Sequence, residues 1–215
     1  MSNKQSPFKV ILCGESSVGK TTLMGKLSGL YNGIPDPTMS CNFSNITAQY
    51  DGKEVDMSFW DTAGQEQYRS LVKIFFRGAD VVVFVCDLTS KISLNSLEFW
   101  IEEAAQNAGD VKPAGLIVAN KTDLRDAIEI TENDLNNLSK THKIKWMKVS
   151  AISGENLAYL KSEIARICLQ HDENPSFDTY TDENIAPPNN KKRKLNIINI
   201  AADKNDPNNN KNSCC

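Results

Sequence analysis

Gly14-Glu-Ser-Ser-Val-Gly-Lys-Thr21 stands between an apolar run, Phe8–Cys13, and a stretch with leucines at helical spacing, Leu23, Leu27 and Leu30. A glycine-containing turn between a strand and a helix lets backbone N–H groups surround a phosphate, and the helix dipole favours the same anion. The octapeptide fits G-x-x-x-x-G-K-[ST] and therefore predicts a phosphate-binding loop in preference to a simple strand–helix turn. The loop alone indicates a nucleoside triphosphate, not which base.

Two further apolar runs, Val81–Cys86 and Leu116–Ala119, are short and continuous like the run before the loop. Strands of this kind are buried on both faces, which is typical of a parallel sheet covered by helices on either side. Segments with helical spacing lie between the runs, for example Leu94, Leu97 and Ile101. The pattern therefore indicates alternating strands and helices.

One pair of strands is expected to be antiparallel. Asp51-Gly52 is a strong hairpin signal, and after it Val55, Met57 and Phe59 alternate with polar residues. We therefore predict an α/β fold of the P-loop NTPase class, with a mostly parallel six-stranded sheet, one antiparallel edge strand and helices on both faces.

Composition narrows the function classes. The chain has 215 residues and a formal net charge of −3, which gives no indication of nucleic-acid binding. No run approaches the roughly 20 apolar residues of a membrane-spanning helix, and the N-terminus lacks the apolar core of a signal peptide. The internal cysteines show no metal-ligand or disulfide spacing, and two of them, Cys13 and Cys86, lie in apolar runs as expected of core thiols. We expect a cytosolic protein.

The amino-acid composition changes near the end of the sequence. From Asp172 onward Asn, Lys and Pro are frequent and large apolar residues are few, so this segment cannot bury enough surface to offset its ordering entropy. We therefore predict a flexible N-terminus at 1–7, a folded domain at 8–170 and a disordered tail at 171–215.

The phosphate loop supplies two side chains for chemistry. Lys20 is expected to neutralise charge between the β- and γ-phosphates, and Thr21 to offer its hydroxyl to Mg²⁺. The other loop positions expected to contact the nucleotide are Gly14, Ser16, Ser17, Val18, Gly19 and Thr22.

The base is selected by Asn120-Lys-Thr-Asp123, which follows a predicted strand. The Asp123 carboxylate can accept hydrogen bonds from N1–H and the exocyclic amine of guanine, whereas adenine has no such donor pair. Asn120 can fix the loop and meet the base edge, and the aliphatic part of Lys121 can cover one face of the base. Ser150 and Ala151, with Ile152 after them, would add a backbone N–H to guanine O6.

Two further segments are expected to sense the γ-phosphate. Asp61 ends the hairpin strand and can hold Mg²⁺ through water, Gly64 can bring its N–H to the γ-phosphate, and Gln65 can orient the attacking water. Thr38 would supply a second hydroxyl to Mg²⁺, so we assign catalytic roles to Gln65, Lys20 and Thr38. Tyr31 either stacks on the base edge or is a surface aromatic at a helix end.

These motifs, in this order, resemble the small GTPases of the Ras superfamily over about residues 8–170. Within that superfamily the chain is similar to the Rab family, on the motifs Trp60-Asp-Thr-Ala-Gly-Gln-Glu66, Tyr68-Arg-Ser, Phe75-Phe-Arg-Gly-Ala79 and Cys214-Cys215. The sequence departs from Rab proteins at Met39-Ser40, where Ile-Gly is usual, and at Ile152, where lysine is common. These departures concern the set of effectors more than the nucleotide.

The Rab resemblance implies a GTP/GDP switch that regulates vesicle and membrane traffic on the cytoplasmic face of an intracellular membrane. It implies prenylation of Cys214 and Cys215, and an effector surface at Phe43, Trp60 and Phe75 that could equally be a hydrophobic cluster. The implied partners are a GTPase-activating protein, a guanine-nucleotide exchange factor, a GDP-dissociation inhibitor or prenylation escort, and effector proteins.

The predicted activity is slow hydrolysis of GTP to GDP and phosphate, because neither the phosphate loop nor Tyr31–Ser40 contains an arginine that could stabilise the transition state. One alternative is a GTP-binding scaffold with little useful hydrolysis. A metabolic P-loop kinase is a weaker alternative, since it would not need Asn120–Asp123 or terminal cysteines.

Overall fold

The computed structural model describes residues 6–31, 33, 42–62, 74–176 and 178–179. Within them the strands are β1 (Phe8–Cys13), β2 (Asn42–Tyr50), β3 (Lys53–Asp61), β4 (Val81–Asp87), β5 (Ala114–Asn120) and β6 (Lys145–Lys148). The helices are α1 (Lys20–Ser28), α2 (Lys91–Asn107), α3 (Glu132–His142) and α4 (Leu157–Glu173), with a 3₁₀ turn at Arg125–Ala127. None of the helices in these ranges is long and apolar enough to cross a membrane.

The described strands form one six-stranded sheet in the order β2-β3-β1-β4-β5-β6. Only β2 runs antiparallel to its neighbour, β3, and it lies at the edge. The turn between them is the predicted one, with Asp51 and Gly52 both at positive φ (50° and 71°). The prediction of a mostly parallel sheet with one antiparallel edge strand is confirmed.

Helices cover both faces of the sheet, because successive side chains of each central strand point to opposite sides. On β1, Val10 and Leu12 pack into one buried cluster with residues of α1 and α4, whereas Ile11 and Cys13 pack into a second cluster with residues of α2 and α3. The prediction of helices on both faces is therefore confirmed, and Cys13 and Cys86 are core thiols as expected.

One leucine of the predicted helical pattern does not lie on the buried face of the helix. Leu23 and Leu27 are buried, but Leu30 is 73% exposed. Helix α1 ends at Ser28 because Gly29 adopts a left-handed conformation (φ 74°) that closes the helix, so Leu30 never reaches the buried face.

The chain continues to contact the sheet after the last helix. Helix α4 runs to Glu173, past residue 170, and six residues later Thr179 is buried. The Thr179 hydroxyl donates to the Gly115 carbonyl (2.7 Å) and accepts from the Lys145 N–H (3.0 Å), at the amino ends of β5 and β6. This contact lies at the end of the sheet opposite the phosphate loop. Residues 180–215 lie outside the described part of the chain.

A buried charge cluster joins α4 to β6. The Glu163 carboxylate, with only 5% of its side chain exposed, accepts from Lys145 Nζ (2.8 Å) and from Arg166 Nη2 (2.7 Å). Burial alone would raise the pKa of Glu163, but the hydrogen bonds from Arg166 and Lys145 outweigh it and hold the pKa below its ordinary value. The cluster is therefore ionised at neutral pH.

We expect Glu163→Gln to lower the free energy of unfolding by about 2–3 kcal/mol at pH 7, because two buried cations lose their carboxylate. The pKa of Glu163 is lower in the folded chain than in the unfolded one, so its contribution is present above an unfolded pKa of about 4.3 and is lost as the pH falls through the folded value. Urea unfolding of both proteins from pH 7 downward should show the difference between them shrink below that pH. A difference that stays constant with pH would contradict this account.

Candidate functional site

The loop after β1 requires glycine at two positions. Gly14 (φ 142°) and Gly19 (φ 97°) have backbone conformations that side chains rarely adopt. A Cβ at Gly14 would lie 2.2 Å from the Val85 carbonyl oxygen on the neighbouring strand, and one at Gly19 would lie 2.5 Å from Asn120 Nδ2. The two glycines therefore let the loop pack directly against β4 and against the loop after β5.

Lys20 begins helix α1 and is buried inside the loop that precedes it. Its ammonium donates to the carbonyl oxygens of Gly14 (2.9 Å) and Glu15 (2.7 Å), and the residue is only 6% exposed. Burial lowers the pKa of Lys20 from its ordinary value, and the Asp61 carboxylate acts in the opposite direction. The loop thus carries a desolvated cation, which an anion such as a phosphate would stabilise strongly.

Thr21 and Asp61 are brought together from different parts of the sequence. The Thr21 hydroxyl donates to Asp61 Oδ2 (2.6 Å), and Asp61 is buried at the end of β3. The next residue, Thr62, holds this strand end in place by donating to the Leu12 carbonyl (2.8 Å). A hydroxyl and a carboxylate are oxygen ligands of the kind that Mg²⁺ prefers, so the donor set fits this cation.

Asn120 links three loops through one side chain. Its Nδ2 donates to the Val18 carbonyl of the phosphate loop (2.9 Å), and its Oδ1 accepts from the Ala151 N–H of the loop after β6 (3.0 Å). The residue is 1% exposed. A backbone N–H of Ser150-Ala151 is predicted from the sequence to meet guanine O6, but the Ala151 N–H has a protein acceptor here.

The other residues of the base loop are held by side chains. Ser150 Oγ donates to Asp123 Oδ1 (2.5 Å), which orients the carboxylate that we assign to the guanine edge. Lys121 Nζ pairs with Asp87 Oδ2 at the end of β4 (2.6 Å). Ile152 lies next to this group and is 56% exposed. No role is predicted for Asp87 from the sequence, although its position directly after the apolar run Val81–Cys86 indicates a place at the edge of the sheet where ligands bind.

The other residues predicted to contact the nucleotide lie in different parts of the structure. Ser16 and Ser17 are exposed at the tip of the phosphate loop, and Thr22 is half-buried in the first turn of α1. Tyr31 is at the other end of α1, where its ring lies under Lys26 Nζ (4.3 Å from the ring centroid). Tyr31 is therefore an aromatic residue near a helix end, and its stacking on the base edge stays a prediction.

Comparison with known proteins decides the family. The model of the Ras family matches residues 9–170, which include β2 to β6, all of β1 except Phe8, and most of α4. The chain belongs to the Ras family.

Curated relatives of this chain are named as Rab proteins. This Ras-family chain is 32% identical to the Ras-related protein Rab-11A of Dictyostelium discoideum, over 70% of each chain. It is 31% identical to the Ras-related protein RABA1b of Arabidopsis thaliana, over 73% of each. It is 32% identical to the human Ras-related protein Rab-8B, over 74% of this chain and 77% of the relative. The protein is therefore a Rab-type small GTPase, a nucleotide switch of membrane traffic.

Three aromatic residues of this GTPase form a continuous surface beside the site. Phe43 and Trp60 are directly paired on β2 and β3 with ring centroids 5.7 Å apart, and Phe75 follows at 5.9 Å from Trp60. Phe43 is 64% exposed. The geometry fits both the effector surface and the hydrophobic cluster that the sequence suggested.

Several predicted site residues lie outside the described part of the GTPase. These are Thr38, Gly64, Gln65, Cys214 and Cys215.

We expect Asn120→Ala to lower the free energy of unfolding by about 2–4 kcal/mol, because it leaves the Val18 carbonyl and the Ala151 N–H buried without their partner. Asn137→Ala, the same change at an exposed position of α3, is the control and should have little effect. Urea unfolding without added nucleotide measures both. If the two variants are equally stable, the hydrogen bonds of Asn120 do not contribute as the geometry indicates.

Proposed function

We propose that this GTPase binds GTP and GDP with Mg²⁺ at the carboxyl ends of β1, β3, β5 and β6. The observation that carries the proposal is the convergence of Lys20, Thr21 and Asp61. A desolvated ammonium and a hydroxyl–carboxylate pair stand together at the N-terminus of α1, where the helix dipole also favours an anion.

Mg²⁺ fits the Thr21 hydroxyl and, through water, the Asp61 carboxylate, with Thr38 as the second hydroxyl in the GTP state. When bound, the cation would neutralise the negative charge that develops on the phosphates during hydrolysis. Lys20 would exchange its two carbonyl acceptors for phosphate oxygens. This exchange costs little, because the ammonium is already desolvated in the loop.

Guanine is selected at Asp123, whose carboxylate would accept from N1–H and from the exocyclic amine. The hydrogen bond from Ser150 supports this role, because it fixes the carboxylate while leaving Oδ2 for the base. Adenine offers the carboxylate no such pair of donors, which disfavours adenine strongly.

Hydrolysis would be slow without a partner, on the order of 10⁻⁴ to 10⁻³ per second. The phosphate loop contains no arginine, so a GTPase-activating protein would supply the missing positive charge. Gln65 would orient the attacking water and Gly64 would contact the γ-phosphate. Exchange factors, a GDP-dissociation inhibitor or prenylation escort, and effectors at Phe43, Trp60 and Phe75 complete the proposed partners.

We expect Gln65→Leu to lower the rate of single-turnover GTP hydrolysis at least tenfold while GTP still binds, because the water loses its orienting group. Thr21→Asn should instead weaken GTP binding and its dependence on Mg²⁺. Thr141→Asn, the same change on an exposed helix, serves as the control for Thr21→Asn.

Two results would contradict the assignments: equal GTP-bound fractions in the Gln65 and Thr21 variants, or turnover of tens of GTP per second by the wild type alone. Wild-type protein that holds GTP but fails to hydrolyse it, even with activating proteins, would favour the scaffold alternative.

We further propose that Cys214 and Cys215 carry two prenyl groups that anchor the GTPase to the cytoplasmic face of an intracellular membrane. Two lipid chains give stable anchoring where one gives only marginal binding. Lys191-Lys-Arg-Lys194 would add attraction to anionic lipid, about 1 kcal/mol for each residue near the surface.

We expect a Cys214→Ser/Cys215→Ser double variant to move from membranes to the cytosol, as measured by fluorescence localisation and by mass spectrometry of the membrane fraction. A variant with alanine at residues 191–194 is the matched comparison, since it removes charge and keeps both thiols. It should reduce membrane binding without abolishing it. Unmodified cysteines throughout the membrane-bound protein would overturn the lipid proposal.

A further inference from the structure

An ion pair connects the end of β4 to the base-binding loop. Lys121 Nζ lies 2.6 Å from Asp87 Oδ2, with 28% and 12% of the two side chains exposed. The pair is therefore largely shielded from solvent, which makes it stronger than an exposed surface pair.

Asp87 is itself held rigidly. Its Oδ1 accepts from the N–H (2.9 Å) and the hydroxyl (2.7 Å) of Thr89, and its backbone N–H donates to Ser93 Oγ (2.9 Å). Burial alone would raise the pKa of Asp87, but the hydrogen bonds from Lys121 and Thr89 outweigh it and keep the pKa below its ordinary value. The carboxylate is consequently a fixed negative charge at neutral pH.

The backbone end of Lys121 is fixed as well. Lys121 adopts a left-handed conformation (φ 69°) that is unusual for a residue with a side chain. The residues on either side are tied to neighbouring strands, because the Asn120 carbonyl accepts from Leu88 (3.0 Å) and the Thr122 N–H donates to Val149 (3.2 Å). Both ends of the lysine side chain are thus anchored, and its aliphatic stem lies between them.

We propose that Asp87 is a positioning residue for nucleotide binding, which holds the ammonium of Lys121 so that the lysine stem is already placed to cover a face of the guanine. This inference rests on the proposed guanine site at Asn120–Asp123. Fixing a long lysine side chain costs conformational entropy, and a stem ordered before the nucleotide arrives removes that cost from binding.

The proposal separates two tasks in the base site. Asp123 reads the edge of the base and distinguishes purines, whereas the lysine stem contacts the face, which all purines share. Loss of Asp87 should therefore weaken binding of every purine nucleotide by the same factor. If the Asp87–Lys121 pair only stiffened β4 against β5, its loss would instead lower the stability of the domain and leave nucleotide dissociation unchanged.

The experiment measures dissociation of fluorescently labelled GDP and IDP from the full-length protein in Mg²⁺. We expect Asp87→Asn to accelerate both about tenfold, equivalent to about 1.4 kcal/mol, with the ratio of GDP to IDP rates unchanged. Asp80→Asn, directly before the other end of β4, is the matched control.

A double-mutant cycle tests whether Asp87 acts through the lysine. Lys121→Met keeps an unbranched stem and removes the ammonium, so Asp87→Asn in that background should accelerate dissociation less than twofold further. Acceleration by the full tenfold in the Lys121→Met background would overturn the inference. The inference would also be overturned if the Asp87→Asn variant released nucleotide at the wild-type rate, whatever the change in its unfolding temperature. Failure of the wild type to retain GDP would contradict the proposed function itself, which keeps the two results distinguishable.

Discussion

The carboxamide of Asn120 is the contact on which the geometry of the site depends. Parallel strands deliver their loops to one edge of the sheet, but they do not fix how those loops approach one another. Asn120 does so by donating to Val18 and accepting from Ala151, and Gly19 has no side chain because the amide occupies that space. A single buried residue, Asn120, therefore fixes the position of the loop that would hold phosphate relative to the loops that would hold the base.

The buried charges at Lys20 and at Glu163 differ in the partners that the protein gives them. Lys20 is a desolvated cation. Within the described part of the chain its ammonium donates to two neutral carbonyl oxygens, and the Asp61 carboxylate is nearby. Such an arrangement is costly unless an anion completes it. The cluster at Glu163 differs, because its two cations already meet a carboxylate at the other end of the sheet. One buried charge group thus stabilises the fold, whereas the other is arranged to bind.

Much of the fold could be predicted from the sequence, because continuous apolar runs and one strong turn signal are local properties. Leu30 was assigned wrongly since periodicity alone does not show that Gly29 ends the helix. The roles of Asp87 and Thr179 were missed for a different reason. Their partners, Lys121 for the first and Gly115 and Lys145 for the second, are far away in sequence and become neighbours only when the sheet forms. The loops of the site could be foreseen, but the protein acceptor of the Ala151 N–H could not.

A switch needs one part of its ligand site to stay constant and another to respond. The guanine base is the same in GTP and GDP. The groups assigned to it are held by contacts within the protein, Lys121 by Asp87 at the end of β4 and Asp123 by Ser150 in the loop after β6. The γ-phosphate is the part that changes, and the groups assigned to it, Thr38 and Gln65, come from the segments that follow α1 and β3. Rigidity at the base would keep either nucleotide bound while those segments distinguish the two. A contact such as Asp87–Lys121 then contributes to how long the nucleotide stays, without favouring one state of the switch.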